Sequence, residues 1–203
     1  KINHAEGNNL IFGQANISND GAYNTLLGTA NHIKAAVNTN GNVLLGRSNN
    51  TSGGTGMVKI GYLNTDYNNA QSDRLINNGQ TVAIGNRNRT QGLNITIGNS
   101  NSVSAQSSLA IGSESSAIDG DNCFVIGNQS YLKSRGSVAL GHKLSGGTTR
   151  TDAQFSTIIG HSSRALGSSN VNVGISNLTN GNDSIAIGHL TSSEQLHSIA
   201  MGM

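Results

Sequence analysis

Thirteen glycines, each preceded by an apolar residue, mark the chain at nearly one interval: Gly13, Gly28, Gly46, Gly61, Gly85, Gly98, Gly112, Gly127, Gly141, Gly160, Gly174, Gly188 and Gly202. The intervals are 15, 18, 15, 24, 13, 14, 15, 14, 19, 14, 14 and 14 residues. A period of this kind, running from end to end, points to a repeat architecture in which each unit covers the next. Neither a linker nor a second domain interrupts it, so residues 1–203 read as a single array.

The residue before each glycine is always apolar, and the residue three before it is apolar except at Thr25 and Thr157. These two flanking rows lie two residues apart and so share one face of an extended strand. Their β-branched side chains favour strand over helix. The reading is one short strand per repeat, ended by its glycine, with the flanking rows filling the interior. Three residues after the glycine the chain writes Asn, Ser or Thr in eleven of twelve repeats, from Asn16 and Asn31 to Asn177 and Thr191, with Leu144 as the exception. Such residues bond to nearby backbone and stack into ladders. The ladders account for a composition of 27 glycines, 11% charged and 3% aromatic residues that otherwise suggests disorder. The expected fold is all-β, a parallel β-roll or β-solenoid of about thirteen coils with a ~14-residue repeat and strands ~4.8 Å apart. The overlong intervals leave the roll as insertion loops near 29–42, 62–80 and 142–155.

The middle position of each strand faces the other way. It reads Ile11, Leu26, Leu44, Lys59, Ala83, Thr96, Ala110, Val125, Ala139, Ile158, Asn172, Ala186 and Ala200. A solvent-facing row alternates to polar, and this row does not. It is therefore expected to meet partner chains through Ile11, Leu26, Leu44, Ala83, Ala110, Val125, Ala139, Ile158, Ala186 and Ala200. The alternative is that each coil folds its own second half over the row.

Other chemistry is sparse. A net charge of +2 with no basic run argues against nucleic acid, and no apolar run reaches the ~20 residues of a membrane-spanning helix. No leader opens the chain, and the pattern starts and stops in mid-phrase, as in an excised piece. The single cysteine, Cys123, excludes an intrachain disulfide. It occupies a slot four before the glycine that is otherwise Asn, Ser or Thr apart from Met57, and reads as a free structural thiol. His142, His161 and His189 follow their glycines, but no carboxylate or cysteine recurs at ligand spacing. Asn86, Asn99 and Asn128 share that row, so it reads as a polar surface ladder and not a metal site. Asp119–Asn122 lacks the further ligands of a calcium loop and reads as a turn. The sequons at Asn94 and Asn128 belong to repeat rows. No nucleophile elbow is present; no catalytic residue, cofactor or metal is expected, and the chain does not read as an enzyme.

The writing of Ser108–Ser115 (SLAIGSES) and Ser184–Thr191 (SIAIGHLT), varied at Ser137-Val138-Ala139-Leu140-Gly141 and Ser198-Ile199-Ala200-Met201-Gly202, resembles the YadA-like heads of trimeric autotransporter adhesins. The resemblance covers essentially the whole chain and is best from Gln80 to Met203. It implies a left-handed β-roll assembled as a homotrimer and displayed on the Gram-negative surface. It also implies outer-membrane anchoring through C-terminal regions, with neck, stalk and anchor outside this piece. The implied partners are a host cell-surface receptor, such as a cell-adhesion molecule, or an extracellular-matrix protein. Met57, Lys59 and Asn172 depart from the pattern. A structural spacer or phage-type fibre segment displaying another domain is the alternative.

Recognition is expected on loops carried by the rigid scaffold. The longest insertion supplies Tyr62, Tyr67 and Arg74, residue types that commonly anchor interfaces. A basic cluster of Lys133, Arg135, Lys143, Arg150 and Arg164 on three consecutive coils is a second candidate, suited to anionic glycans.

Overall fold

The computed structural model describes residues 7–18, 21–33, 40–51, 55–66, 80–90, 93–104, 107–117, 121–147 and 154–202. Every regular element among them is a β-strand. They fall into two compact units, Lys1–Asn101 and Ser102–Met203. The first stacks six long strands, Leu10–Gln14, Thr25–Thr29, Val43–Arg47, Val58–Tyr62, Val82–Asn86 and Ile95–Asn99. The second stacks seven: Leu109–Ser113, Phe124–Asn128, Val138–His142, Thr157–His161, Val171–Ile175, Ile185–His189 and Ile199–Gly202. Within each unit neighbouring long strands pair in parallel with glycine opposite glycine, as in Gly13↔Gly28 and Gly127↔Gly141. The result is a parallel β-solenoid whose phase is set by the glycine row.

The glycine does not end the strand, as the sequence suggested; each long strand except the last runs one residue beyond it. The chain turns at the next residue, which holds a left-handed conformation without being glycine: Ala15, Ala30, Leu63, Arg87, Gln129, Lys143 and Leu190 have φ of 53–56°. Two residues further on comes a second strand of only two residues, such as Ile17–Ser18, His32–Ile33 and Tyr131–Leu132. These short strands also stack in parallel, as in Tyr131↔Ser145 and Leu132↔Gly146. A second left-handed corner, at Tyr23, Asn122, Phe155, Asp183 and His197, leads into the following long strand. Each coil therefore has two walls, and the sequence signalled only one.

The second wall reverses the predicted orientation of the first. Leu26, Leu44, Ala83, Ala110, Val125, Ala139, Ile158 and Ala186, expected at a partner interface, are 0% exposed within the single chain. Ile11 packs on Leu26, Ile33 and Leu44, and Ala200 is half-buried. The second residue of the short strand, Ile33, Val103, Leu132 or Ala165, meets the middle row across the roll and closes its core. A side chain with no exposed surface in its own chain has none left for a partner, so this row is core. The flanking rows, expected inside, face outward; no residue in them is buried. Alternation places the two rows on opposite faces but does not say which face is inside. A roll only one side chain deep on each wall favours small residues within. Size is traded across the core. A Cβ on Gly146 would collide with Leu132 and lie 3.3 Å from Ile158 Cδ1, so glycine there makes room for two large neighbours.

The predicted polar ladders are present, and they are interior. Asn16, Asn31, Asn49, Asn64, Asn88 and Asn101 are at most 3% exposed. The amide Nδ2 of Asn49 donates to Leu45 O on its own coil (2.9 Å) and to Gly61 O on the next (3.0 Å). Its Oδ1 accepts from Asn64 N (3.1 Å) and Asn64 Nδ2 (3.0 Å). Several later coils use serine: Ser115 Oγ donates to Gly127 O (3.1 Å) and Ser130 Oγ to Gly141 O (3.0 Å). A second ladder lines the other corner, where Asn24 Oδ1 accepts from Asn42 N (3.0 Å) and Ser137 Oγ from Ser156 N (3.1 Å). Lys59, in the middle row, is fully buried and donates from Nζ to Asn50 O. Asn172 in the same row is also buried, with Nδ2 donating to Arg164 O (3.0 Å).

Substitutions at two positions test this arrangement. Gly127 has φ +144°, and a Cβ there would collide with the carbonyl oxygen of Gly141. Gly127→Ala is expected to cost at least ~4 kcal/mol, because neither backbone can yield without breaking the ladder. Asn49→Ala removes several buried hydrogen bonds and is expected to cost ~2–4 kcal/mol. Asn49→Ser should cost less, since serine keeps the bond to the next glycine. Chemical denaturation of the three variants checks the order.

Candidate functional site

The most extensive surface feature is the outer face of the long strands. Its two flanking rows hold Leu10, Phe12, Ile95, Phe124, Ile159, Val171, Ile199 and Met201 at 36–73% exposure, and the remaining members are half-buried. Nothing in the described part of either unit covers these rows. Single exposed apolar residues are ordinary, but an apolar row that repeats on every coil of a unit is the kind of contiguous patch that marks an interaction surface. The sequence found the residues and assigned them to the wrong side.

Beside these rows, on the same face, runs the residue after each glycine. This third row is mostly polar: Gln14, Thr29, Arg47, Tyr62, Asn86 and Asn99 in the first unit, Ser113, Asn128, His142, His161, Ile175 and His189 in the second. Tyr62, expected on the insertion, is instead the last residue of the long strand Val58–Tyr62, 36% exposed. Arg47 is opposite it in register, with its guanidinium carbon 5.6 Å from the ring centre. A cation held over an aromatic face gains ~0.5–1 kcal/mol at an exposed site and presents a flat, preorganised pair. Arg47 was missed from sequence, although it follows a glycine one coil before Tyr62. Tyr67 and Arg74 lie outside the described residues.

The basic candidates are ordered around the coil. Lys143 occupies the left-handed corner after its glycine, and Arg164 stands on the short strand Arg164–Ala165. Lys133 directly follows the short strand Tyr131–Leu132, with its ammonium nitrogen 5.7 Å from the Tyr131 ring centre. Arg135 lies in the turn leading out of that wall and accepts a backbone bond from Phe155 N (2.9 Å). Arg135, Lys143 and Arg164 are exposed and Lys133 is half-buried. Tyr131, Ser145 and Arg164 align across three neighbouring short strands. Lys133 and Arg164 thus share the short-strand side with Tyr131, and Lys143 stands at its edge. Arg150 lies outside the described residues.

Cys123 is free and buried. Its backbone N donates to Ser108 Oγ (3.1 Å) and its thiol to Ser134 O (2.6 Å), so it fills the ladder slot of a serine. Burial pushes its pKa up, which suppresses the nucleophilic thiolate. Among the described residues no three His, Cys, Asp or Glu side chains group as a metal site. The polar groups that cluster, the Asn and Ser ladders, are spent on backbone.

The model of the YadA head domain repeat matches residues 180–203, in two copies. These residues contain the long strands Ile185–His189 and Ile199–Gly202, so the matched repeats share the coil described throughout both units. No curated protein matches the chain.

Buried as it is, Cys123 is expected to resist iodoacetamide at pH 8 in the folded protein and to react once denaturant is added. Mass spectrometry of both samples checks this, and rapid labelling of the native chain would contradict it.

Proposed function

From the premise of a YadA-like head domain, we propose that residues 1–203 form the head of a bacterial surface adhesin. The head is a non-catalytic homotrimer, anchored to the outer membrane through other parts of its protein. It binds a host cell-surface receptor or an extracellular-matrix protein. The observation that carries this reading is the uncovered apolar face of the long strands. Burying a Val, Leu or Ile side chain yields ~1.5–3 kcal/mol, and every coil offers two apolar positions except those of Thr25 and Thr157, which offer one. Further copies of the same chain match such a face in length and period. Three chains, as the family implies, turn all three faces to a common axis. The short-strand walls and corners then remain outside for ligand.

On this reading the insertion carrying Tyr67 and Arg74 and the basic residues Lys133, Arg135, Lys143, Arg150 and Arg164 are the surfaces offered to ligand, whereas Tyr62 with Arg47 borders the face turned to the sister chains. Lys133 beside Tyr131 supplies a cation and a flat ring, a combination suited to a sulfated or sialylated glycan as well as to protein.

Light scattering of the purified chain should give three times the mass of one chain. Ile111→Asp with Ile126→Asp should give single chains, with β-sheet circular dichroism retained because neither side chain enters the core. A monomeric wild type overturns the assembly. A solid-phase screen against matrix proteins and host receptors tests adhesion. Binding should fall at least severalfold in Lys133→Ala/Arg164→Ala and weaken as salt rises, since the screening length shortens from ~10 Å at 0.1 M to ~3 Å at 1 M. A folded trimer that binds nothing in the screen overturns the adhesive reading and favours a spacer.

A further inference from the structure

We propose that His142 and His161, held side by side on neighbouring long strands, form a two-imidazole site for a first-row divalent ion of the zinc, nickel or copper class. The two residues are opposite each other in parallel register, one residue after the paired glycines Gly141 and Gly160. Their ring centres are 4.9 Å apart with planes inclined by 35°. His142 is half-buried and His161 exposed, so both rings are open to solvent in the single chain. Among the described residues neither imidazole has a hydrogen-bond or ion-pair partner besides this ring contact. That leaves a nitrogen lone pair on each ring uncommitted.

Read as sequence, the row is a polar ladder in which histidine stands for asparagine; the structure adds the geometry. Parallel strands fix the two backbones ~4.8 Å apart. Metal–imidazole bonds of ~2.0–2.1 Å let two ligand nitrogens span up to ~4 Å around one ion. With the ring centres 4.9 Å apart, rotation of the rings about χ2 is the movement that would bring one nitrogen of each within that span. Imidazole selects zinc, copper and nickel over the harder magnesium and calcium. Water completes the coordination, since no third histidine, cysteine or carboxylate joins the pair among the described residues. The positions flanking the pair in the row are Asn128 and Ile175, and the next histidine, His189, lies beyond Ile175. Lys143, directly after His142, is the adjacent charge in sequence and disfavours a cation, which keeps the affinity moderate. The site rests on sheet register and needs no adhesive ligand, although the pair borders the face that the proposed trimer turns to its axis.

The test is calorimetric titration of the whole 203-residue chain with Zn²⁺, Ni²⁺ and Cu²⁺. Wild type should saturate at one ion per chain below millimolar concentration. Loss of an outer-shell partner alone costs a metal site ~10–100-fold, so His142→Gln and His161→Gln should each weaken binding at least ~10-fold. His189→Gln, in the same row but outside the pair, should bind as wild type does. Circular dichroism confirms the fold of each variant, and His142→Asn and His161→Asn repeat the test with the residue the row already uses at Asn128. A Cu²⁺ electron paramagnetic resonance spectrum of the wild type, showing two coordinated nitrogens, supports the site without any variant. Absence of saturable binding, unchanged affinity in the His142 and His161 variants, or equal weakening by His189→Gln overturns the proposal.

Discussion

One backbone atom on each coil, the carbonyl oxygen of its glycine, holds the stack together. It sits where the preceding glycine would carry a Cβ, as Gly61 O does for Gly46. It also accepts the side-chain donor of the ladder residue on that preceding coil, as from Asn49 Nδ2 at 3.0 Å. A methyl group at the glycine would push the coils apart, and the ladder bond would be lost with it. The glycine row and the asparagine row, which look independent in the sequence, thus serve one contact. Serine at Ser115 and Ser130 preserves it with a single hydroxyl, which is why the ladder changes residue type without changing the coil.

That contact explains how a chain with so few large side chains stays ordered. The interior has one row from each wall, the middle row and its counterpart on the short strand, bordered by two hydrogen-bonded ladders. Much of the buried surface is therefore amide and hydroxyl, and burying such groups is tolerable only when they are bonded. The Asn carboxamide meets that condition because both its donor and acceptor sides find backbone on the adjacent coils. The roll also accepts irregular residues where the ladder backbone is kept: Met57 N still donates to Asn42 Oδ1 at 2.9 Å, although its own side chain adds no rung.

With the small residues inside, the large ones are left outside, and this exchange links fold to function. Among the described residues the two outward apolar rows are uncovered, whereas the middle row lies in the core and ladder side chains such as Asn49 and Ser130 are hydrogen-bonded to the next coil. On the proposed function, sister chains meet the long-strand wall, and ligand meets the short-strand wall and corners of the same coil. The row beside the apolar face, one residue after the glycine, sets in-register pairs side by side. Arg47 with Tyr62 and His142 with His161 both arise in this way. Parallel register turns a sequence separation of one coil into direct contact.

Periodicity alone was enough to establish the repeat, its phase, the strand at each glycine and the ladder character of the Asn and Ser rows, because each is a local rule repeated many times. The place of Cys123 in a serine slot was legible for the same reason. The sequence did not reveal the short second wall, since two residues per coil with side chains as different as Ile33, Thr51 and Gly146 leave no periodic signal. Without that wall the inside and outside of the long strand are related by symmetry of pattern, and the apolar flanking rows look like core. Nor did it separate the binding candidates: Tyr62 reads as loop until pairing with Arg47 makes it strand. Tertiary structure decided these points, because only the packing of one wall on the other determines which face of an alternating strand is removed from water.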